Sequence, residues 1–334
     1  MMFQRTLAVM AFTLLIGLVP VLAQDTEPSP TPYSPVFPIS VESCGETITF
    51  EAAPERALAF DTNLTEIMLA LELEDRMAGY WLSGDGIAEV FQDQIEAIPL
   101  ISEETWPPPG LETILSFNPD FVFGSWGGTF SQESGVTPET LLAAGVQSYT
   151  LTESCITADV QIEPTLENTY TDILNIGRIF GAEDRAQVIV DDMRAAIEEV
   201  QSVIGEVDMP VRAFYYGGGD DAPFSTGRYG TPSVLMGLVG MENILNDLED
   251  DWTFDVSWET VIERDPEVII VEDAPWESAE DRIAILQSLP QLASITAIQE
   301  GRFIALPYRN VLSGLDVDEA VRILAVGAYP DLFE

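Results

Sequence analysis

The segment Leu111-Glu-Thr-Ile-Leu-Ser-Phe-Asn-Pro-Asp-Phe-Val-Phe123 occurs a second time, in altered form, as Trp258-Glu-Thr-Val-Ile-Glu-Arg-Asp-Pro-Glu-Val-Ile-Ile270. Glu, Thr and Pro keep their places, and most apolar positions match. Each copy is predicted to be a short helix that ends before Pro119 or Pro266, because proline disfavours helix at the preceding residue. The apolar run that follows is typical of a parallel strand buried on both faces. Two copies about half a chain apart predict two similar lobes with a cleft between them.

Short strands and helices alternate on both sides of a long region with helical periodicity. We therefore predict an α/β fold with two doubly wound parallel-sheet lobes joined by a long helix. The predicted domains are an N-terminal lobe at 41–163, linking helices at 164–207 and a C-terminal lobe at 208–334. Within the first lobe, the loop 61–65 is predicted to lead into a helix at 66–73 that Asn63 or Thr65 caps.

The N-terminus has the features of a secretory signal, with Arg5 before an apolar run at 7–22 and Ala23 at the expected cut. We predict a signal peptide at 1–23 and a proline-rich spacer at 24–40. The apolar run is slightly long for a signal core, so an uncleaved membrane anchor is the alternative. The expected location is extracytoplasmic, either periplasmic or at the cell surface.

The composition excludes several classes of function. The net charge of −44, from 13 basic and 57 acidic residues, repels phosphate backbones and argues against nucleic-acid binding. Solubility, adaptation to salt and a functional acidic surface all remain explanations for this charge. The chain has no histidine, which removes Ser-His-Asp catalysis, histidine-based zinc sites and histidine-ligated haem. We predict no catalytic residue and no metal-binding set.

Cys44 and Cys155 are the two cysteines, and they bracket the first lobe. In an exported chain a disulfide is the expected state, and closing so long a loop stabilises by about 4 to 5 kcal/mol in the chain-entropy model. Two buried free thiols are the alternative.

Several phrases, taken in order, resemble the substrate-binding proteins of ABC importers for ferric siderophores and cobalamin. These phrases are Pro54-Glu-Arg56, Thr65-Glu66, Leu111-Glu112, Asn118-Pro-Asp120, Phe214–Gly227, Val239–Ile244 and Val256–Glu259. The resemblance implies a monomer without cofactor or enzymatic activity, with a shallow ligand cleft and a membrane permease as partner. The absence of histidine favours a ligand that is already chelated, such as a ferric siderophore or a corrinoid.

Ligand contacts are expected from aromatic and polar residues in or next to loops at strand ends, although core packing is the alternative for each aromatic. The candidates are Asn63, Trp81, Trp126, Tyr215, Tyr216, Phe224, Arg228, Tyr229, Trp276 and Arg309. The two arginines can hold anionic oxygens bidentately, or can form surface ion pairs. Asp220, Asp221 and Asp316 can instead serve a cationic ligand, so the sequence leaves the sign of the ligand open.

The resemblance also implies permease docking through one acidic residue on each lobe, at Glu112 and Glu242. Glu112 opens a helix, where a negative charge also stabilises the helix dipole. Glu242 is expected near the end of a helix, where the dipole gives no such stabilisation, so Glu242 is the stronger prediction. Two other functions remain open at this point. One is a carboxylate-dependent hydrolase that uses Asp220 and Asp221, and the other is an extracytoplasmic interaction module.

Overall fold

The computed structural model describes residues 36–84, 86–248 and 253–333. The predicted signal peptide and residues 24–35 of the predicted spacer lie outside this range. Within it, no helix combines the length and the apolar character that a bilayer crossing needs. The described chain opens with an antiparallel hairpin of strands β1 (Ile39–Ser43) and β2 (Glu46–Phe50).

The N-terminal lobe is built on a four-stranded parallel sheet in the order β4-β3-β5-β6. Every residue of β3 and of β5 is buried, as their apolar sequences predict. The strands are β3 (Ala57–Phe60), β4 (Met77–Trp81), β5 (Phe121–Gly124) and β6 (Gln147–Thr150). The helices are α1 (Thr62–Ala70), α2 (Gln92–Ile95), α3 (Leu111–Ser116) and α4 (Pro138–Ala143).

Two long helices follow, α5 (Leu166–Phe180) and α6 (Glu183–Ile204). Gly181 ends α5 with a positive φ of 76°, a conformation that favours glycine. Helix α5 packs against β1 in the N-terminal half of the chain, while α6 packs against α5 and against the last helix of the chain. The helix pair therefore contacts both halves of the molecule.

The C-terminal lobe has a second parallel sheet, in the order β12-β11-β7-β9, and a small antiparallel pair of β8 with β10. Its strands are β7 (Val211–Tyr216), β8 (Phe224–Thr226), β9 (Met241–Asn243), β10 (Thr253–Asp255), β11 (Val268–Asp273) and β12 (Phe303–Pro307). Its helices are α7 (Thr231–Leu238), α8 (Trp258–Arg264), α9 (Ala279–Ser288), α10 (Thr296–Glu300) and α11 (Val317–Ala328).

The two sheets share one topology. In each, the first strand along the chain lies between the second and the third, and the fourth lies beyond the third. The repeated segment forms α3 and β5 in one lobe and α8 and β11 in the other, which is the third helix-strand unit of both sheets. The predicted two-lobed α/β fold is confirmed.

An arginine at the start of each sheet fixes the end of the repeated helix. Arg56 precedes β3 and donates to the carbonyl oxygens of Phe117 (2.6 Å) and Asn118 (2.8 Å). In the other lobe, Arg212 of β7 donates to the carbonyl oxygen of Arg264, which is the residue that matches Phe117 in the repeat. These bonds satisfy carbonyl groups that a helix end otherwise leaves unpaired. They also place the last turns of α3 and α8 at the amino ends of their sheets.

The predicted disulfide between Cys44 and Cys155 is confirmed. It joins the turn of the β1–β2 hairpin to the short 3₁₀ turn that follows β6. That turn leads towards the cleft, so the bridge holds one of its walls to the N-terminal hairpin.

A buried carboxyl attaches α5 to the N-terminal sheet. Asp172 is fully buried and accepts hydrogen bonds from the Tyr149 hydroxyl (2.8 Å) and from the backbone N–H (3.0 Å) and hydroxyl (2.5 Å) of Thr152. Burial raises the pKa of Asp172 from 3.8 to about 7, against the effect of these hydrogen bonds.

The raised pKa predicts a pH-dependent stability for this helix attachment. Between about pH 4 and pH 7 the folded protein binds a proton that the unfolded chain releases, so this carboxyl makes stability fall as pH rises through that window. Asp172→Asn should remove the effect and gain up to about 4 kcal/mol relative to the parent protein over the window. Denaturant unfolding of both proteins across the window measures the difference. Asp191→Asn, at an exposed position on α6, is the control, and an Asp172→Asn difference that stays constant with pH would contradict the assignment.

Candidate functional site

A cleft lies where the loops from the two parallel sheets meet. All strands of a parallel sheet point the same way, so the loops at their carboxyl ends converge on one edge. The loops that follow β3, β4, β5 and β6 meet those that follow β11 and β12, and they enclose about 250 Å³. The lining residues are Asp61, Asn63, Trp81, Ser83, Trp106, Ser125, Gly127, Gly128, Leu151, Glu153, Ser154, Trp276, Tyr308 and Leu312.

Asp61 stands between β3 and α1 in a strained backbone conformation. Its φ of 78° and ψ of 162° lie in a region that is populated almost only by glycine. The carboxylate accepts from the backbone N–H of Thr62 (2.8 Å) and from the Ser83 hydroxyl (2.8 Å), so it caps α1 and joins two loops of the cleft wall. The predicted start of this helix at 66 is wrong, and so are the predicted caps Asn63 and Thr65, because the Asp61 side chain starts the helix at Thr62. Such strain is typical of functional positions.

Two exposed tryptophans stand at the rim, one from each lobe. The Trp106 side chain is 67% exposed in the loop before α3, and that of Trp276 is 57% exposed after β11. Trp276 packs edge-on against Tyr308, with ring centroids 4.8 Å apart, and it lies beside Gly84 of the opposite lobe. A Cβ atom at Gly84 would come within 3.3 Å of the indole ring, so a larger residue there would require the ring to shift by a few tenths of an ångström.

Polar contacts join the lobes at the floor of the cleft. The Asn63 side-chain amide donates to the Ser313 carbonyl oxygen (2.7 Å), and the Ser313 hydroxyl pairs with that of Thr169 (2.8 Å). Glu66 of α1 forms an ion pair with Arg309 of the other lobe. Burial raises the pKa of Glu66 above its ordinary value, although its bonds with Ala88 and Arg309 favour the ionised form. These contacts join the two walls at the floor of the cleft.

Glu153 links the cleft to the C-terminal lobe. Its carboxylate accepts from both the backbone N–H and the hydroxyl of Thr231, each at 2.6 Å, and so caps α7 from the opposite lobe. Burial raises the pKa of Glu153 above its ordinary value, and the bonds to Thr231 oppose that shift. On its other side Glu153 lines a small inner pocket with Tyr229 and Thr169.

The structure brings together some of the residues that the sequence singled out. Asn63, Trp81 and Trp276 line the cleft, and Tyr229 lines the inner pocket. Trp81 is buried, and its indole N–H donates to the Glu104 carbonyl oxygen (2.7 Å), so almost none of its ring is exposed to a ligand. Their contact with ligand stays a prediction.

Other candidates lie away from the cleft. Trp126 is 8% exposed and packs on Phe130, although its neighbours in the loop after β5 line the cleft. Tyr215 and Tyr216 are buried in β7, because this central strand has both faces covered. The lining of the cleft therefore does not include these three side chains, and an expected ligand contact from them does not fit this arrangement.

The remaining candidates are also placed differently from the prediction. Phe224 lies on β8, outside the cleft lining, and packs towards Gly217. Arg228 forms an ion pair with Glu163 at 2.8 Å and lies over the Tyr229 ring. Arg309 is held by Glu66 and Asp316. Both arginines thus already have carboxylate partners.

The sequence reasoning missed Asp61, Glu153 and Trp106. Trp106 carried a usable signal, because it precedes three consecutive prolines and a tryptophan in such a segment has little core to join. The sequence has 57 acidic residues, and no local signal separates Asp61 and Glu153 from the others. Only the convergence of the loops in the folded chain brings these two to the cleft.

The two docking candidates lie at opposite ends of their sheets. Glu112 is exposed in the first turn of α3, near the carboxyl ends of the strands, since the last turn of α3 lies at the amino ends. Glu242 lies in β9, four residues after the last residue of α7. Its backbone pairs with that of Arg212 at the start of β7, at the end of the sheet away from the cleft. The residue that matches Glu112 in the repeat is Glu259, exposed in the first turn of α8.

Comparisons with known proteins agree with this architecture. A family model described as periplasmic binding protein matches residues 59–309. YvrC of Bacillus subtilis (strain 168), an uncharacterized ABC transporter substrate-binding lipoprotein, is 20% identical over 303 residues, which cover 90% of this chain and 88% of YvrC.

Solved structures share the fold. A periplasmic binding protein from Veillonella parvula is 26% identical with a TM-score of 0.76, over 87% of this chain and 97% of that one. An ABC-type Fe³⁺-hydroxamate transport system from Saccharomonospora viridis is 21% identical with a TM-score of 0.75, over 88% and 99% of the two chains. Because the family model spans most of the sequence, the chain belongs to the periplasmic binding protein family, as a solute-binding protein of an ABC importer and not an enzyme.

Proposed function

We propose that this protein captures a ferric siderophore, a corrinoid or a similar bulky chelate in the cleft and delivers it to the permease without chemistry. The observation that carries the proposal is the pair of exposed tryptophans, Trp106 and Trp276, on opposite rims of a cleft at the carboxyl ends of both sheets. Exposed rings at such a place offer flat apolar surface to a ligand.

The cleft is too small to enclose a bulky ligand, so such a ligand would stay partly exposed. Sites that enclose a drug-sized ligand have volumes of roughly 300 to 1,000 Å³, whereas this cleft encloses about 250 Å³. The floor contacts of Asn63 and Glu66 limit further closure, so a bulky ligand rests between the rims.

A chelate fits better than a bare metal ion. Proteins bind bare zinc or copper mainly through imidazole and thiolate groups, and this chain has no histidine. Its two cysteines are joined in a disulfide. Two proteins with this fold are an ABC-type Fe³⁺-hydroxamate transport system and a periplasmic heme-binding protein, RhuT from Roseiflexus sp. RS-1, which is 23% identical.

For the N-terminus we propose export through a signal at 1–23, followed by a spacer that lets the lobes reach the permease. The predicted end of this spacer at 40 is two residues too late, because β1 begins at Ile39. Whether the signal is cleaved or retained as an anchor decides between a free and a tethered protein. We further propose that the protein acts as a monomer.

Ligand binding is tested by intrinsic fluorescence titrated with ferric siderophores, haem and corrinoids. We expect at least one chelate to quench the emission at micromolar concentration or below, and Trp276→Phe to reduce the quenching. Trp106→Phe is the companion variant for the other rim. A flat response to every chelate, together with a response to a bare metal ion or a sugar, would refute the proposal.

For docking we propose the pair Glu112 and Glu259, in place of Glu112 and Glu242. Both occupy the first turn of the repeated helix at the cleft end of a lobe, and both are exposed. Acidic side chains at matched positions can meet basic groups on both halves of a permease, where charge complementarity sets encounter rate and orientation.

Charge reversal distinguishes the two pairs. Glu112→Arg and Glu259→Arg should each leave ligand affinity unchanged and lower ligand-dependent ATPase stimulation of the reconstituted cognate permease by about tenfold. Glu242→Arg, at the far end of the sheet, is the matched control and should leave stimulation unchanged. A stronger loss with Glu242→Arg than with Glu259→Arg would restore the original assignment.

A further inference from the structure

The cleft has acidic side chains where an anionic ligand would otherwise bind. Helix N-termini attract anions, because their first N–H groups are unpaired and the helix dipole is positive there. At α1 that place is taken by Asp61, which accepts from Thr62 N–H, and at α7 it is taken by Glu153, which accepts from Thr231 N–H. Both residues line the cleft. Each helix dipole offsets about half a charge, so the pair still leaves the cleft negative.

The described residues that line the cleft include no arginine. The 13 basic residues of the sequence are all arginines. Three of them lie in the C-terminal lobe close to the loops that approach the cleft, and each is already paired with acids. Arg228 pairs with Glu163, Arg309 with Glu66 and Asp316, and Arg282 with Glu272 and Glu277.

Aromatic rings at the rim also favour a cationic ligand. Trp106, Trp276 and Tyr308 line the same cleft as the two carboxylates. The faces of such rings attract cations, and tryptophan does so most strongly. Rings and carboxylates together favour an ammonium group and disfavour a carboxylate, a catecholate or a phosphate.

We propose that the cleft selects a ligand without net negative charge, which presents a protonated amine or another cationic group to Asp61 and Glu153. The inference rests on the proposed function, because it names the charge class of the chelate that the cleft takes. Polyanionic ferric catecholates and haem, whose propionates are anionic, are then poor ligands. The strain at Asp61 agrees with this role, since an aspartate keeps that backbone conformation where glycine would relieve it.

A set of three chelates that differ only in charge tests the proposal. Ferrioxamine B, a ferric tris-hydroxamate with a pendant ammonium group, is compared with its N-acetylated neutral form and its N-succinylated anionic form. Calorimetric titration should give affinity in the order ammonium, neutral, succinylated, with about tenfold or more between the first and the last. Equal or tighter binding of the succinylated form overturns the proposal.

Two isosteric variants locate the effect. Asp61→Asn keeps a good helix cap, and Glu153→Gln keeps an oxygen that can accept from Thr231. Each should reduce the preference for the ammonium form by about threefold or more. Glu133→Gln removes the same charge at an exposed position outside the cleft and should leave the preference unchanged. An equal effect from the control would show that only the overall charge matters, which contradicts the proposal.

Ionic quenching tests the charge of the cleft without any chelate. The emission of Trp276, taken as the difference between the protein and Trp276→Phe, is measured with caesium and with iodide. Caesium should quench it more than iodide, and Asp61→Asn should narrow that gap more than Glu133→Gln does. If none of the three chelates binds, the ligand is not a ferrioxamine, the proposed function is still decided by the wider chelate panel, and the quenching result alone decides the charge inference. Quenching by iodide that equals or exceeds that by caesium overturns it.

Discussion

The shared direction of the strands is the constraint on which the rest of the molecule depends. Eight strands form two parallel sheets, so each sheet collects its loops at one edge. Hydrogen bonds from Arg56 and Arg212 to the ends of the repeated helices fix the polarity of the same unit in both lobes. Because the topology is the same twice, two sets of loops face one space. The cleft follows from this arrangement, whereas its chemistry is set by the few side chains that the loops present.

Acidic side chains are placed with three different effects. Most of the 57 acids contribute to a surface charge that favours solubility. A few are buried with specific partners, as in the Glu66–Arg309 pair across the lobes and the Asp172 contacts that attach α5. Asp61 and Glu153 are a third group, because they cap helices and line the cleft together. The same residue type thus supplies solubility, inter-lobe contact and ligand selection, depending on what surrounds it.

Much of the fold could be predicted from the sequence, because its signals are local. Apolar runs fix β5 and β11, a proline after each repeated helix fixes where that helix ends, and two cysteines in an exported chain predict the disulfide. The site was less predictable, because it depends on pairing and burial. Tyr215 was expected in or next to a loop at a strand end, yet β7 is a central strand whose side chains are covered on both faces. Glu242 was placed near a helix end, and only its pairing with Arg212 shows that it lies at the far end of the sheet. No local pattern marks the strained Asp61.

Anomalous diffraction at the iron edge tests the central claim most directly, using crystals of the protein grown with the ferric chelate that quenches its fluorescence most strongly. We expect one iron peak between Trp106 and Trp276, above the inter-lobe contacts of Asn63, with the ligand touching loops from both sheets. An iron peak at any other surface of the molecule, or one bound directly by protein side chains with no chelate around it, would contradict chelate binding in the cleft.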